Sequence, residues 1–128
     1  MPPLRIIVVD DDQNAAHAMA AALEAHGHQT RALTDPAGVI AEALAFSPQA
    51  ILLDLNFAAL GMFRGAEIAA ELRAHPVLKK LTLIAVSGQS DRVDRDITQA
   101  AGFDHHLKKP VDIEALLALL QGAPKTRR

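Results

Sequence analysis

The chain has 128 residues, half of them apolar and 22% charged, and its net charge is −2. That is the size and balance of one globular domain, so a second sizeable domain within it and a disordered chain are both excluded. The longest apolar runs, such as Ile6–Val9 and Ala50–Leu53, are too short for a membrane-spanning helix. No basic segment precedes a long apolar core, so no secretory signal is read. The absence of cysteine removes disulfides, thiol nucleophiles and thiolate metal sites, and it fits a reducing, cytoplasmic compartment. There is no basic stripe, and the only aromatic residues are four Phe, so direct contact with nucleic acid is not expected.

In chain order, Ile6–Val9 reads as a first strand, apolar enough for burial on both faces. Gln13–His26 reads as a helix with Ala16, Met19, Ala20 and Leu23 on one side, closed by Gly27. His28–Leu33 is mixed in polarity and reads as an edge strand. Pro36–Phe46 is a helix with Asp35 as its N-cap and Pro36 in its first turn, weakened by Gly38. Ala50–Leu53 is a second buried strand, and Gly65–His75 is a helix that stops before Pro76. Leu81–Val86 is a third buried strand. Asp91–Ala101 is a helix ending at Gly102, Phe103–Leu107 a second edge strand, and Asp112–Gln121 a helix with Ile113, Leu116, Leu117 and Leu120 on one face. Residues 123–128 read as a frayed tail beyond a domain of residues 1–122.

Strand and helix thus alternate five times, which specifies an α/β domain with a parallel sheet covered on both faces. Three buried and two mixed strands fit the flavodoxin-like, doubly wound, five-stranded order 2-1-3-4-5 with five helices, the mixed strands at the edges. Ligands in such sheets bind beyond the carboxyl ends of the strands. Those ends carry Asp10, Asp11 and Asp12, then Asp54, then Ser87, then Lys108 and Lys109. Crowded carboxylates repel unless a cation joins them, and an all-oxygen set without Cys suits Mg²⁺, with Mn²⁺ possible. A lysine and a serine hydroxyl beside them complete a phosphoryl site in which the nucleophile is a carboxylate and the product an acyl phosphate.

The segments Val8-Val9-Asp10-Asp11, Leu52-Leu53-Asp54-Leu55-Asn56, Val86-Ser87-Gly88 and Lys109-Pro110 stand in order at four strand ends. With these, the sequence resembles the response-regulator receiver domains of bacterial two-component signalling, over roughly Leu4 to Leu120. The resemblance implies that Asp54 is the phosphoacceptor. It implies that Asp11 binds Mg²⁺ directly, that Asp10 does so through water, and that Asn56 adds its backbone carbonyl. Ser87 would donate to a phosphoryl oxygen, Lys109 would bridge Asp54 and the phosphate, and the Lys109–Pro110 peptide would be cis. The implied donor is a phosphohistidine on a histidine kinase or histidine phosphotransfer protein. The implied readout is contact with a downstream protein through the fourth helix, fifth strand and fifth helix, with Arg92, Arg95, Gln99, His106 and Lys108 as candidates. The chain is then a switch that catalyses its own aspartyl phosphorylation and dephosphorylation rather than an enzyme. With no effector domain read in it, it acts alone or as a module of a larger kinase, and its initial Met favours the former.

Two departures from the family pattern stand out. The stretch from Asp54 to Gly65 is about three residues longer than usual and lacks the loop proline, which is either a tolerated insertion or a lid made by Phe57, Leu60, Met62 and Phe63, with Arg64 in reach of a phosphoryl oxygen. His106 occupies the place where most receivers carry Tyr or Phe, as in receivers attached to hybrid histidine kinases; it is either a pH-sensitive switch or a plain surface residue. His17, His26, His28 and His75 read as surface residues, Asp12 as a helix cap, and the adjacent His105 and His106 as no metal pair. Leu119 reads as lying off the core face of the last helix. Two other functions stay open: a binding module independent of phosphorylation, and an aspartate-nucleophile phosphatase of the haloacid-dehalogenase type built on Asp10 and Asp12. The latter lacks the usual Thr, since Asn14 stands there, and has no room for a cap domain.

Overall fold

Apolar runs that must be covered on both faces become the centre of the sheet. The computed structural model describes residues 2–55, 64–88 and 95–122. In it β1 (Arg5–Val9), β2 (Gln29–Leu33), β3 (Ala50–Asp54), β4 (Thr82–Ser87) and β5 (His105–Lys108) form one parallel sheet, ordered β2-β1-β3-β4-β5. Val8 lies between Ala32 and Leu52, and Leu52 lies beside Ile84. The strands are joined through α1 (Gln13–Ala25), α2 (Val39–Phe46), α3 (Arg64–Ala74) and α4 (Arg95–Ala101), and α5 (Ile113–Leu120) follows β5.

The two-residue period of the strands sorts their side chains into two cores. Ile6, Val8, Leu52 and Ile84 pack with Leu23 of α1 and with Leu116 and Leu120 of α5. Ile7, Val9, Leu53 and Leu83 pack on the other face with Val39 of α2 and with Ile68 and Leu72 of α3. Each of these fully buried Leu or Ile side chains contributes about 1.5–3 kcal/mol. Leu119 is partly buried against the first of these cores.

Local chemistry sets the element ends. Asp12 caps α1 by accepting from the Asn14 and Ala15 N–H groups, and Asp112 caps α5 by accepting from Glu114 N–H. Asp35 accepts from Ala37 N–H, but the turn it caps, Pro36–Gly38, is 3₁₀, and α2 begins only at Val39. Gly38 is the weak helix former that separates the two. Both edge strands start later than the sequence suggests, because Phe103 and His28 are drawn inward before pairing begins. Phe103 joins the core of α2 and α3.

His28 is not a surface residue. It is 4% exposed, and its Nδ1 accepts from Leu4 N–H at 3.0 Å. That bond requires a neutral ring with its proton on Nε2, which is buried without a partner. Burial, helped by the nearby His26 and the N-terminal ammonium, lowers its pKa below the ordinary imidazole value.

Arg73 ties α3 to the far side of β4. Its Nε donates to Gly102 O at 2.8 Å. One terminal nitrogen donates to Lys79 O and Leu81 O, and the other to Asp104 at 2.7 Å. The same Asp104 oxygen accepts from Leu83 N–H. Gly102 is needed twice over: its φ is +107°, and a Cβ there would meet Arg73 Cγ at 2.9 Å.

Two outcomes follow. Because the folded pKa of His28 is lowered, the unfolded chain takes up the proton more readily, and stability is full above about pH 6.5 and falls as the pH drops below it. Urea midpoints measured across that range should show the acid loss, and His28→Asn should flatten it. Arg73→Ala should lower stability by about 2–3 kcal/mol in the same assay, because a carboxylate and three carbonyls lose a shared donor.

Candidate functional site

The carboxyl ends of β1, β3, β4 and β5 converge, and each site residue is fixed by a ladder hydrogen bond at or just past its strand end. Asp10 N–H donates to Leu33 O, Leu55 N–H to Val86 O, and Lys109 N–H to Ser87 O. Asp54 ends β3 on the face it shares with Leu52, toward α1 and α5. Ser87 ends β4 on the opposite face, with Ala85. Gly65 lets α3 close over β3: a Cβ there would meet Leu55 Cδ2 at 2.8 Å.

Lys109 is the hub. Its Nζ donates to Asp10 Oδ2 and to Asp54 Oδ2, both at 3.0 Å. Asp10 is 7% exposed and Asp54 4%. Burial alone would lower the pKa of this lysine, but the hydrogen bonds and charges of Asp10 and Asp54 outweigh it and raise the pKa above the ordinary lysine value. The ammonium's stabilising contribution is therefore present through neutral pH and lost only in alkali, as the pH rises through the raised value. The other Asp10 oxygen accepts from Asp12 N–H at 2.9 Å, so both its oxygens are engaged.

Asp11 is exposed, and its carboxylate completes a group with Asp10 and Asp54 whose oxygens lie within 4.8 Å of one another. Two unit charges at that distance repel by about 3.5 kcal/mol at an effective dielectric constant of about 20. One lysine against three carboxylates leaves a net negative pocket of hard oxygen ligands, the donor set that fits Mg²⁺ or Mn²⁺. Among the described residues it is the only such group of three. Beside it a groove of about 650 Å³ runs along Ala15, Ala18 and Met19 of α1 and Val111 and Ile113 at the start of α5.

On the other face of the sheet Ser87 is wholly inaccessible, and its Oγ lies 2.7 Å from His106 Nε2. The Lys109–Pro110 peptide is cis. The structure thus brings together Asp10, Asp11, Asp54 and Lys109, and it pairs Ser87 with His106. Gln99 and Lys108 are exposed on α4 and β5. Asn56, Arg92, the lengthened stretch 57–63, the side chains of Arg64 and Arg95, and the tail 123–128 lie outside the described residues. Sequence reasoning missed the Asp12 N–H that holds Asp10; the run of three Asp was its only signal.

The fold and site define a class: an open parallel α/β sheet with a carboxylate–lysine centre at its carboxyl edge. The chain belongs to the response regulator receiver domain family, whose pattern matches residues 6–121. It is 30% identical over 117 residues to an uncharacterised 76.5 kDa protein of Thiocystis violacea, covering 91% of this chain but only 16% of that protein. It is 28% identical over 113 residues to protein PilH of Pseudomonas aeruginosa, covering 88% of this chain and 91% of PilH. A receiver domain (CheY-like) structure from Methylobacillus flagellatus superposes with a TM-score of 0.78 at 28% identity, over 93% of this chain and 97% of that one. No helix among the described residues is long and apolar enough to cross a membrane.

If the carboxylate group takes a divalent cation, millimolar Mg²⁺ should raise the thermal midpoint, with a stabilisation of about 2.7 kcal/mol at a hundredfold excess over Kd. Asp11→Asn should abolish most of that gain. An equal gain in the variant would place the ion elsewhere.

Proposed function

We propose that residues 1–122 form a phosphoryl-accepting switch of a two-component relay, phosphorylated on Asp54 from a phosphohistidine of a histidine kinase or phosphotransfer protein. The observation that carries this reading is the Lys109 ammonium, 3.0 Å from both Asp10 and Asp54. It orients the Asp54 carboxylate and stands ready to pair with the oxygens of an arriving phosphoryl group. An Asp54 oxygen attacks phosphorus, the P–N bond of the donor breaks, and the donor imidazole leaves with that electron pair and regains a proton. The apolar groove beside the site, along α1 and the start of α5, supports a protein donor over a small molecule.

Asp11 and Asp54 would ligate Mg²⁺ directly, with the backbone carbonyl of Asn56, and Asp10 would act through water because its two oxygens already hold Asp12 N–H and Lys109. When bound, the metal neutralises charge on the transferring phosphoryl group. Ser87 would then donate to a phosphoryl oxygen. The change would be read by a downstream protein on α4, β5 and α5, where Arg92, Arg95, Gln99, His106 and Lys108 are the candidates. We place this exchange in the cytoplasm.

The test is intact-mass and peptide mapping after incubation with acetyl phosphate and Mg²⁺. One phosphoryl group is expected on Asp54, absent from Asp54→Ala and absent without divalent cation. An adduct on Asp10 would support the phosphatase, and no adduct from any donor would support a binding module alone.

A further inference from the structure

Asp10 is fixed at both of its carboxylate oxygens. Lys109 Nζ donates to Oδ2 at 3.0 Å, and the N–H of Asp12 donates to Oδ1 at 2.9 Å. The lysine is held in turn by Asp54 and by its own N–H on Ser87 O. The Asp12 amide is placed differently. Past Asp10, whose N–H still bonds Leu33 O, the chain leaves the sheet, and Asp11 and Asp12 form a bend before α1.

The Asp12 side chain anchors that bend. Its Oδ1 accepts from Asn14 N–H at 3.0 Å and from Ala15 N–H at 3.3 Å. Its carbonyl accepts the first bond of α1, from Ala16 N–H at 3.0 Å. Its backbone is extended, with φ −84° and ψ 110°, as an N-cap residue requires. The helix is itself seated by Ala16 and Leu23, both fully buried. Three bonds therefore lock residue 12 to α1, and a fourth passes that lock to Asp10.

We infer that Asp12 is a positioning residue for the carboxylate centre: by capping α1 it fixes the amide that aims Asp10 and holds the bend on which Asp11 stands. This rests on the reading of Asp10, Asp11 and Asp54 as the seat of a divalent cation. Asp12 is not one of the three carboxylates that converge, and its Oδ1 is turned to the helix instead. The need for an anchor comes from the centre itself. Its three carboxylates, with oxygens within 4.8 Å of one another, repel, and two of them are neighbours at the start of the bend. Without the cap the cation must order that bend, and the ordering subtracts from its affinity. With the cap the helix has already ordered it. Groups that hold a metal's ligands in place typically change affinity by about 10–100-fold, and an exposed cap belongs at the lower end.

Charge and geometry separate at this position. Asp12→Asn removes the negative charge but keeps an oxygen that caps as well. Asp12→Ala removes both, and it leaves the backbone N–H present but no longer held. The test is isothermal titration of the full chain with Mg²⁺ at neutral pH, paired with NMR exchange of the residue-12 amide without metal. Asp12→Ala is expected to weaken Mg²⁺ binding about tenfold and to speed exchange of that amide by a similar factor. Asp12→Asn is expected to stay within about threefold of the wild type in both. Equal losses in Asp12→Asn and Asp12→Ala overturn the positioning role, since charge alone then accounts for them. Unchanged Mg²⁺ affinity in Asp12→Ala also overturns it and leaves the cation site standing. No Mg²⁺ binding by the wild type overturns the cation site and this inference with it.

Discussion

A single ammonium held between two buried carboxylates organises this molecule's working end. Lys109 reaches Asp10 and Asp54 only because β1, β3 and β5 end at one edge of the sheet and each end is held by a further ladder bond. A buried pair of this kind contributes little net stability, since desolvating the charges cancels much of their attraction. Its cost and its use are the same fact. The centre holds more negative charge than one lysine balances, and a divalent cation would resolve the imbalance.

The pleat divides the chemistry between the two faces. Asp54 lies on the side of α1 and α5, beside the apolar groove. Ser87 lies on the other side, where His106 and α4 stand.

Much of this was legible in the residues. Ile6–Val9, Ala50–Leu53 and Leu81–Val86 are readable because strands buried on both faces have no polar side, and the strand ends named the site once the order β2-β1-β3-β4-β5 was assumed. His28 misled because its polarity points outward by default, whereas the Leu4 N–H that captures it belongs to another strand's approach. Arg73 gave no signal, because most of its partners are backbone carbonyls from separate segments. Ser87 and His106 were each noticed, but their contact depends on the register of β4 against β5, which no local pattern encodes. Gly38 announced a weakness in its helix, and the chain answered with a 3₁₀ turn before α2.

The central claim is that Lys109 hands part of its contact from the resting carboxylates to an incoming phosphoryl group on Asp54. A crystal structure of the chain with Mg²⁺ and a phosphoryl mimic tests it most directly. The account predicts Lys109 Nζ within hydrogen-bond distance of both Asp54 and the mimic, with the ion on Asp11 and Asp54. A mimic attached to Asp54 with Lys109 turned away into solvent would contradict it.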